Sequence, residues 1–245
     1  MSETKETDRE ADPIVALRSF GQSVWLDFIR RSFMAGGELK KLVDAGLGGV
    51  TSNPAIFEKA IGGSDDYAAA IAELAKGPRL PPKRVFELLA VKDIQDAADI
   101  LRPVYDRTAA RDGYVSLEVA PALATDTERT LQEARRLWAE VDRPNTMIKV
   151  PATPEGIVAF RQLIAEGINV NVTLLFDRGA YEAVAQAYIE GLTARVAAGK
   201  PVAAVASVAS FFVSRIDAAV DALLAKKPEA KELSGKVAIA NAKLA

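Results

Sequence analysis

Six short apolar runs separated by longer stretches of helical periodicity restrict this chain more than any other feature of its sequence. They lie at residues 23–29 (SVWLDFI), 48–51 (GGVT), 114–119 (YVSLEV), 146–150 (TMIKV), 168–174 (INVNVTL) and 202–208 (VAAVASV). Most do not alternate between apolar and polar residues, which is the pattern of strands buried on both faces. Strands interleaved with helices predict an α/β fold built from β/α units around a parallel sheet. On either side of the fourth run the helical signals are strong. Residues 127–141 put Leu131, Ala134, Leu137, Trp138 and Val141 on one face, behind Thr125-Asp126-Thr127-Glu128 with capping-box spacing. A second helix opens at Thr153-Pro154-Glu155, with threonine as N-cap and proline in the first turn. The long connection 52–113 holds further helical patterns at 65–76 and 82–108, so extra helices decorate it, and Pro103 is expected to kink or divide the second. With no internal repeat, low-complexity tract or linker, a single domain spanning 13–245 is expected, preceded by a polar, mixed-charge segment 1–12 that reads as a frayed tail.

Composition narrows the chemistry. The 245 residues contain no cysteine and no histidine. That removes thiolate nucleophiles, disulfides, a Ser-His-Asp triad and zinc sites with nitrogen or sulfur ligands. Thirty-one Lys and Arg against 33 Asp and Glu leave a net charge of -2, which provides no general field for nucleic acid or an anionic membrane. The N-terminus lacks the apolar core of an export signal, and the longest mostly apolar segment, 201–213, is shorter than the roughly 20 residues a membrane span needs. A cytoplasmic protein is expected, with chemistry drawn from carboxylates, amines, hydroxyls and amides.

In parallel β/α folds functional groups gather at the C-terminal ends of the strands. Polar residues recur there in this sequence: Asp27, Asn53, Glu118, Lys149, Asn171, Thr173, Ser210 and Arg215. Each has a purely structural reading as well. Asp27 could cap a helix starting near Arg30, Asn53 could be a turn residue before Pro54, and Arg215 could be a solvated helical charge. Lys149 stands among Met147, Ile148, Val150 and Pro151, where an uncompensated ammonium is costly to bury. It is either half of a buried bridge to Glu118 or Asp27, or an amine activated for Schiff-base chemistry on a carbonyl.

The blocks containing these residues resemble transaldolase. They are QSVWLD at 22–27, GVTSNPAIF at 49–57, SLEV at 116–119, MIKVPAT at 147–153, GINVNVTLLF at 167–176 and SFFVSRID at 210–217. They follow the family's order and are most similar to its longer bacterial type, some members of which are fused to glucose-6-phosphate isomerase. The resemblance implies a (β/α)8 TIM barrel of the class I aldolase type and transfer of a dihydroxyacetone unit from a ketose phosphate to an aldose phosphate in the pentose phosphate pathway. It implies no metal and no organic cofactor. By position it implies Lys149 as the Schiff-base lysine, Asp27 as the acid/base group of carbon–carbon cleavage, Glu118 as the second acid/base carboxylate, and Thr173 as its partner in positioning a catalytic water. Thr51, Asn53, Asn171, Ser210 and Arg215 are implied as substrate-binding residues, with Arg215 at the phosphate.

The sequence departs from the family in ending after about six β/α units, whereas such barrels typically need about 250 residues for eight. The expectation is therefore an incomplete barrel, with a missing C-terminal segment, a fused isomerase domain and self-association all open. Two further readings stay beside the transaldolase one. The first is another Schiff-base aldolase, of the deoxyribose-phosphate type; the second is a non-catalytic fragment that binds sugar phosphates or serves assembly.

Overall fold

A computed structural model of the protein describes residues 13–245; the reading of residues 1–12 as a frayed tail lies outside the described residues. The chain forms two compact units. The first runs through Ala120 and adds Arg136–Ile148, and the second comprises Pro121–Arg135 and Lys149–Ala245. Six strands alternate with helices: β1 (Trp25–Asp27), β2 (Gly49–Thr51), β3 (Val115–Glu118), β4 (Thr146–Pro151), β5 (Val170–Leu175) and β6 (Ser207–Phe211). The first unit holds β1, β2, β3 and the opening half of β4 side by side in that order, and the second holds the closing half of β4, then β5 and β6. The β1–β2, β2–β3 and β5–β6 ladders are parallel, with Asp27 opposite Thr51, Thr51 opposite Ser116, and Asn171 opposite Val208. Among the described residues no helix is long and apolar enough to cross a membrane.

In the first unit, β1 leads into the short α1 (Arg31–Ala35) and then α2 (Glu38–Asp44). The connection from β2 to β3 is as decorated as its length predicts, with α3 (Pro54–Gly62), a 3-10 turn Asp65–Tyr67, α4 (Ala68–Leu74) and the long α5 (Pro82–Arg107). α5 runs without a break through Pro103, so of the expected kink or division the division does not occur. Proline loses one intrahelical bond, but Leu101 and Val104 on either side of it are fully buried and hold the helix to the core. The apolar stripe of α5, from Leu89 and Ala90 through Ile94, Ala97 and Ala98 to Val104, covers β3.

The second unit carries α7 (Pro154–Glu166), α8 (Arg178–Ala197), α9 (Ser214–Leu224) and α10 (Val237–Leu244); α6 (Thr127–Val141) and β4 each run from one unit into the other. α6 has the expected bounds, and Leu131, Ala134, Leu137 and Val141 are buried as expected. Its cap differs: Asp126, not Thr125, accepts the Arg129 N–H at 3.0 Å. Thr153 caps α7 through Gly156 N–H at 3.0 Å, with Pro154 in the first turn. The sixth run is shifted. Residues 202–206 form a turn, closed by Val205 N–H on the Val202 carbonyl, and the strand begins at Ser207. The ladder explains this, because Val170 pairs with Ser207 and Leu175 with Phe211, while Asn169 Oδ1 takes the Ala206 N–H at 2.9 Å.

Candidate active site

In the first unit the register sets one polar layer. Paired residues of parallel strands project to the same face, so Asp27, Thr51 and Ser116 share a side, and Glu118, two residues beyond Ser116, joins them at the end of β3. Asp27 is exposed, whereas Glu118 is partly buried. Below this layer Trp25 lies over Gly49, where a Cβ would come within 2.4 Å of the indole. Glycine is required there by close approach. Trp25 also stacks on Tyr114 and donates its Nε1–H to Asp112 at 3.0 Å, so the indole beneath the polar layer is held at its face and at its edge.

The loop after β2 is fixed by its own side chains. Ser52 is buried and donates to the Ser116 carbonyl at 2.7 Å. Asn53 caps α3: its backbone is extended and its Oδ1 accepts the Ile56 N–H at 3.0 Å. The turn reading of Asn53 is thus correct as far as its oxygen goes, and its Nδ2 has no partner among the described residues. Thr51 Oγ1 is buried without a hydrogen-bond partner among the described residues. A buried hydroxyl and an amide with spare donors, beside two carboxylates, suit a polyhydroxylated ligand.

The second unit holds the lysine. Every residue of β4 is buried, and Lys149 is 5% exposed. Asn171 (1%) and Thr173 (3%) lie on β5 two residues apart and therefore on one face. Ser210 on β6 donates its hydroxyl to Asn171 Oδ1 at 2.8 Å, which fixes which end of that amide faces β6. The Thr173 carbonyl accepts the Ala152 N–H at 2.9 Å, tying β5 to the end of β4 just beyond Lys149. Immediately after Thr173 the ladder bulges, and Leu174 adopts φ 65, a left-handed conformation that costs a branched side chain about 1–3 kcal/mol. Arg215 opens α9 and is exposed, but it is not simply solvated. Its guanidinium lies 4.4 Å over the Phe212 ring, and Phe212 stacks on Phe176 at 5.1 Å. An arginine held this way at a helix N-terminus presents two positive features to one anion.

Sequence reasoning missed Phe176 and Phe212, and it missed a cluster behind Asp27. Asp93, fully buried on α5, accepts Arg31 Nε and Nη2 on Oδ1 at 2.9 and 2.7 Å and the Tyr67 hydroxyl on Oδ2 at 2.6 Å. Burial pushes the Asp93 carboxyl above its ordinary value, against the pull of those donors, and raises the Tyr67 phenol. The signal for this cluster was present, since an aspartate interrupts the otherwise apolar stripe of α5 and a buried carboxylate requires partners. The suggested role of Asp27 as a helix cap is corrected as well. The N-terminus of α1 is capped from elsewhere, by Asp66 Oδ2, which accepts the Ser32 N–H at 3.1 Å.

The sequence matches known proteins over most of its length. The profile of the family described as Transaldolase/Fructose-6-phosphate aldolase matches residues 24–245. A transaldolase from Trichodesmium erythraeum is 47% identical over 95% of this chain and 64% of its own length. Transaldolase 2 from a Nostoc species is 50% identical with the same coverages, and a transaldolase from Thiobacillus denitrificans is 50% identical over 92% of this chain and 63% of its own. The chain therefore spans just under two thirds of the length of the curated relatives it matches.

Proposed function

Since the chain belongs to the transaldolase/fructose-6-phosphate aldolase family, we propose that it acts as a transaldolase, moving a dihydroxyacetone unit between sugar phosphates through a Schiff base on Lys149. The observation that carries this reading is the burial of Lys149 inside a strand with no exposed residue, within the region the family profile covers. The (β/α)8 barrel is the fold proposed with it, the described residues supplying six of the strands. A soluble cytoplasmic enzyme of the pentose phosphate pathway is the corresponding cellular reading.

In this reading the side chains named above carry the steps. The Lys149 amine adds to the C2 ketone of fructose 6-phosphate or sedoheptulose 7-phosphate, and loss of water leaves an iminium. Asp27 takes the C4 hydroxyl proton, the C3–C4 bond breaks, and its electron pair flows into the iminium to give an enamine while the aldose phosphate departs. The enamine then attacks the aldehyde of glyceraldehyde 3-phosphate or erythrose 4-phosphate, whose oxygen recovers the proton from Asp27. Water hydrolyses the new iminium, with Glu118 and Thr173 orienting it. Neutral donors and acceptors on Thr51, Asn53, Asn171 and Ser210 hold the hydroxyls of the three-carbon unit without protonating the enamine. Arg215 holds the phosphate with a planar fork, and the Phe212 ring beneath it limits its rotation.

The test is borohydride reduction of the 245-residue chain with fructose 6-phosphate, followed by peptide mapping. A mass increase on Lys149 is expected. An adduct elsewhere with Lys149 unmodified, or no adduct at any lysine, overturns the assignment and leaves the reading as a non-catalytic sugar-phosphate binder.

A further inference from the structure

The segment that leaves β1 just after Asp27 is gripped by residues far away in the chain. Two consecutive arginines, Arg30 and Arg31, meet two consecutive residues of the 3-10 turn, Asp66 and Tyr67. Asp66 Oδ2 accepts Arg30 Nε at 2.8 Å and the Ser32 N–H at 3.1 Å. The Arg31 guanidinium lies 4.5 Å over the Tyr67 ring while its fork closes on Asp93, which the Tyr67 hydroxyl also engages. All of these contacts lie within the first unit.

A buried arginine–carboxylate pair is a poor device for stability alone, because apolar side chains of similar volume hold elements together as well or better. What the guanidinium supplies and packing does not is orientation: two donors converging on Asp93 Oδ1 and a ring beneath the guanidinium fix its plane and so the backbone from which it springs. That backbone is four residues from Asp27. The intervening residues have little slack, since Ile29 is buried and Phe28 packs edge-on against Phe33 at 5.3 Å. Asp27 itself is exposed at the end of its strand. Its aim depends on the anchoring of the segment behind it.

We infer that Arg31, Tyr67 and Asp93 are positioning residues for Asp27 in carbon–carbon cleavage, an inference that rests on the proposed role of Asp27. They touch no substrate. Because the anchored segment carries Asp27, whose proposed task is proton transfer in cleavage, and not the amine that forms the Schiff base, the inference separates two steps: formation of the Schiff base is insensitive to this anchor, and bond cleavage depends on it.

Two variants that preserve shape test it in the full chain: Tyr67→Phe removes one hydroxyl and keeps the ring, and Arg31→Lys keeps the charge and loses the fork. Each is assayed for borohydride trapping of fructose 6-phosphate at Lys149, for kcat and KM of transfer to erythrose 4-phosphate, and for melting temperature. The expected result is trapping equal to the parent, KM changed by less than about twofold and kcat lowered by about 10-fold to 100-fold, the size of effect a small misplacement of a reacting group produces. Unchanged kcat in both variants overturns the inference. So does a loss of trapping and kcat in equal proportion that tracks melting, because that is the behaviour of a purely structural cluster. If the parent chain itself shows no adduct at Lys149, the functional reading fails first and this inference falls with it; if the parent traps and the variants cleave normally, only the inference fails.

Discussion

Replacing Gly156 by alanine tests whether the end of β4 is fixed as tightly as its contacts require. Gly156 is the third residue of α7 and the donor to the Thr153 cap. A Cβ at this position would meet the Pro151 carbonyl oxygen at 2.0 Å and Thr153 Oγ1 at 2.9 Å. The first contact is with backbone, so no rotamer change relieves it, and either β4 or the helix must move. Overpacking of this kind costs about 3 kcal/mol at the upper end of its usual range. Weakening the cap adds about 1 kcal/mol. Alanine's better helix propensity returns about 1 kcal/mol. The net loss is about 3 kcal/mol, which for a chain of this length lowers the melting temperature by about 6–12 °C. Gly62 is the control: it also lies in a helix, α3, but a Cβ there meets nothing within 4 Å, so alanine should be neutral or stabilise by up to about 1 kcal/mol. Thermal unfolding followed by circular dichroism reads both variants. Because Pro151 is two residues beyond Lys149, trapping at Lys149 should fall along with stability in Gly156→Ala. If Gly156→Ala melts with or above the parent, the close approach is not a constraint and the reasoning is wrong.

The two carboxylates should separate by step: Asp27→Asn is expected to retain trapping at Lys149 and lose cleavage, whereas Glu118→Gln slows trapping itself, both read by mass spectrometry over time; identical defects would remove the division of roles. Arg215→Lys keeps a cation but loses the fork and its stacking on Phe212, so KM for fructose 6-phosphate should rise about 10-fold or more with little change toward unphosphorylated dihydroxyacetone in trapping. Equal losses for both ligands would make Arg215 structural. Asp66 predicts a pH dependence. The Arg30 side chain first, and then the Ser32 donors, favour its ionised form and hold it well below the ordinary 3.8. The folded state therefore binds fewer protons than the unfolded one in that interval, so the stabilisation is present above 3.8 and is lost as pH falls toward the lowered value. Asp66→Asn should melt below the parent near neutral pH, and the gap should narrow on acidification; a constant gap would show that the carboxylate's charge is not what matters.

Much of this architecture is legible in periodicity. The α6 stripe, the Thr153-Pro154 start of α7 and the first five strands appear where apolar spacing and caps put them, because local pattern and tertiary burial agree there. The sixth strand does not, for a physical reason: residues 202–206 are apolar but alanine-rich, whereas Ser207–Phe211 is selected by its ladder and by Ser207 and Ser210 bonding Val170 and Asn171. Such cross-strand choices are invisible to a linear window. The individual side chains of the candidate site stand out as candidates because lysine, asparagine and acids are conspicuous at apolar strand ends. Their supports were harder to see. Phe176 and Phe212 carry no polar group to mark them, and the partnership of Arg31 with Asp93 spans 62 residues. Asp93 alone gave a readable sign, as an acid on the wrong side of its helix.

The cap that Asp66 provides has a bearing on motion as well as on charge. α1 has only five residues, far below the ~12–15 at which an isolated helix becomes even marginally stable in water. The free N–H of Ser32 in its first turn is satisfied by a carboxylate 34 residues further along the chain. The helix therefore persists only while the turn holding Asp66 is docked, and the two must come apart together as one cooperative segment. Uptake of deuterium at the Ser32 amide counts those openings. Its protection measures how often the backbone behind Asp27 is set free while the rest of the protein stays folded.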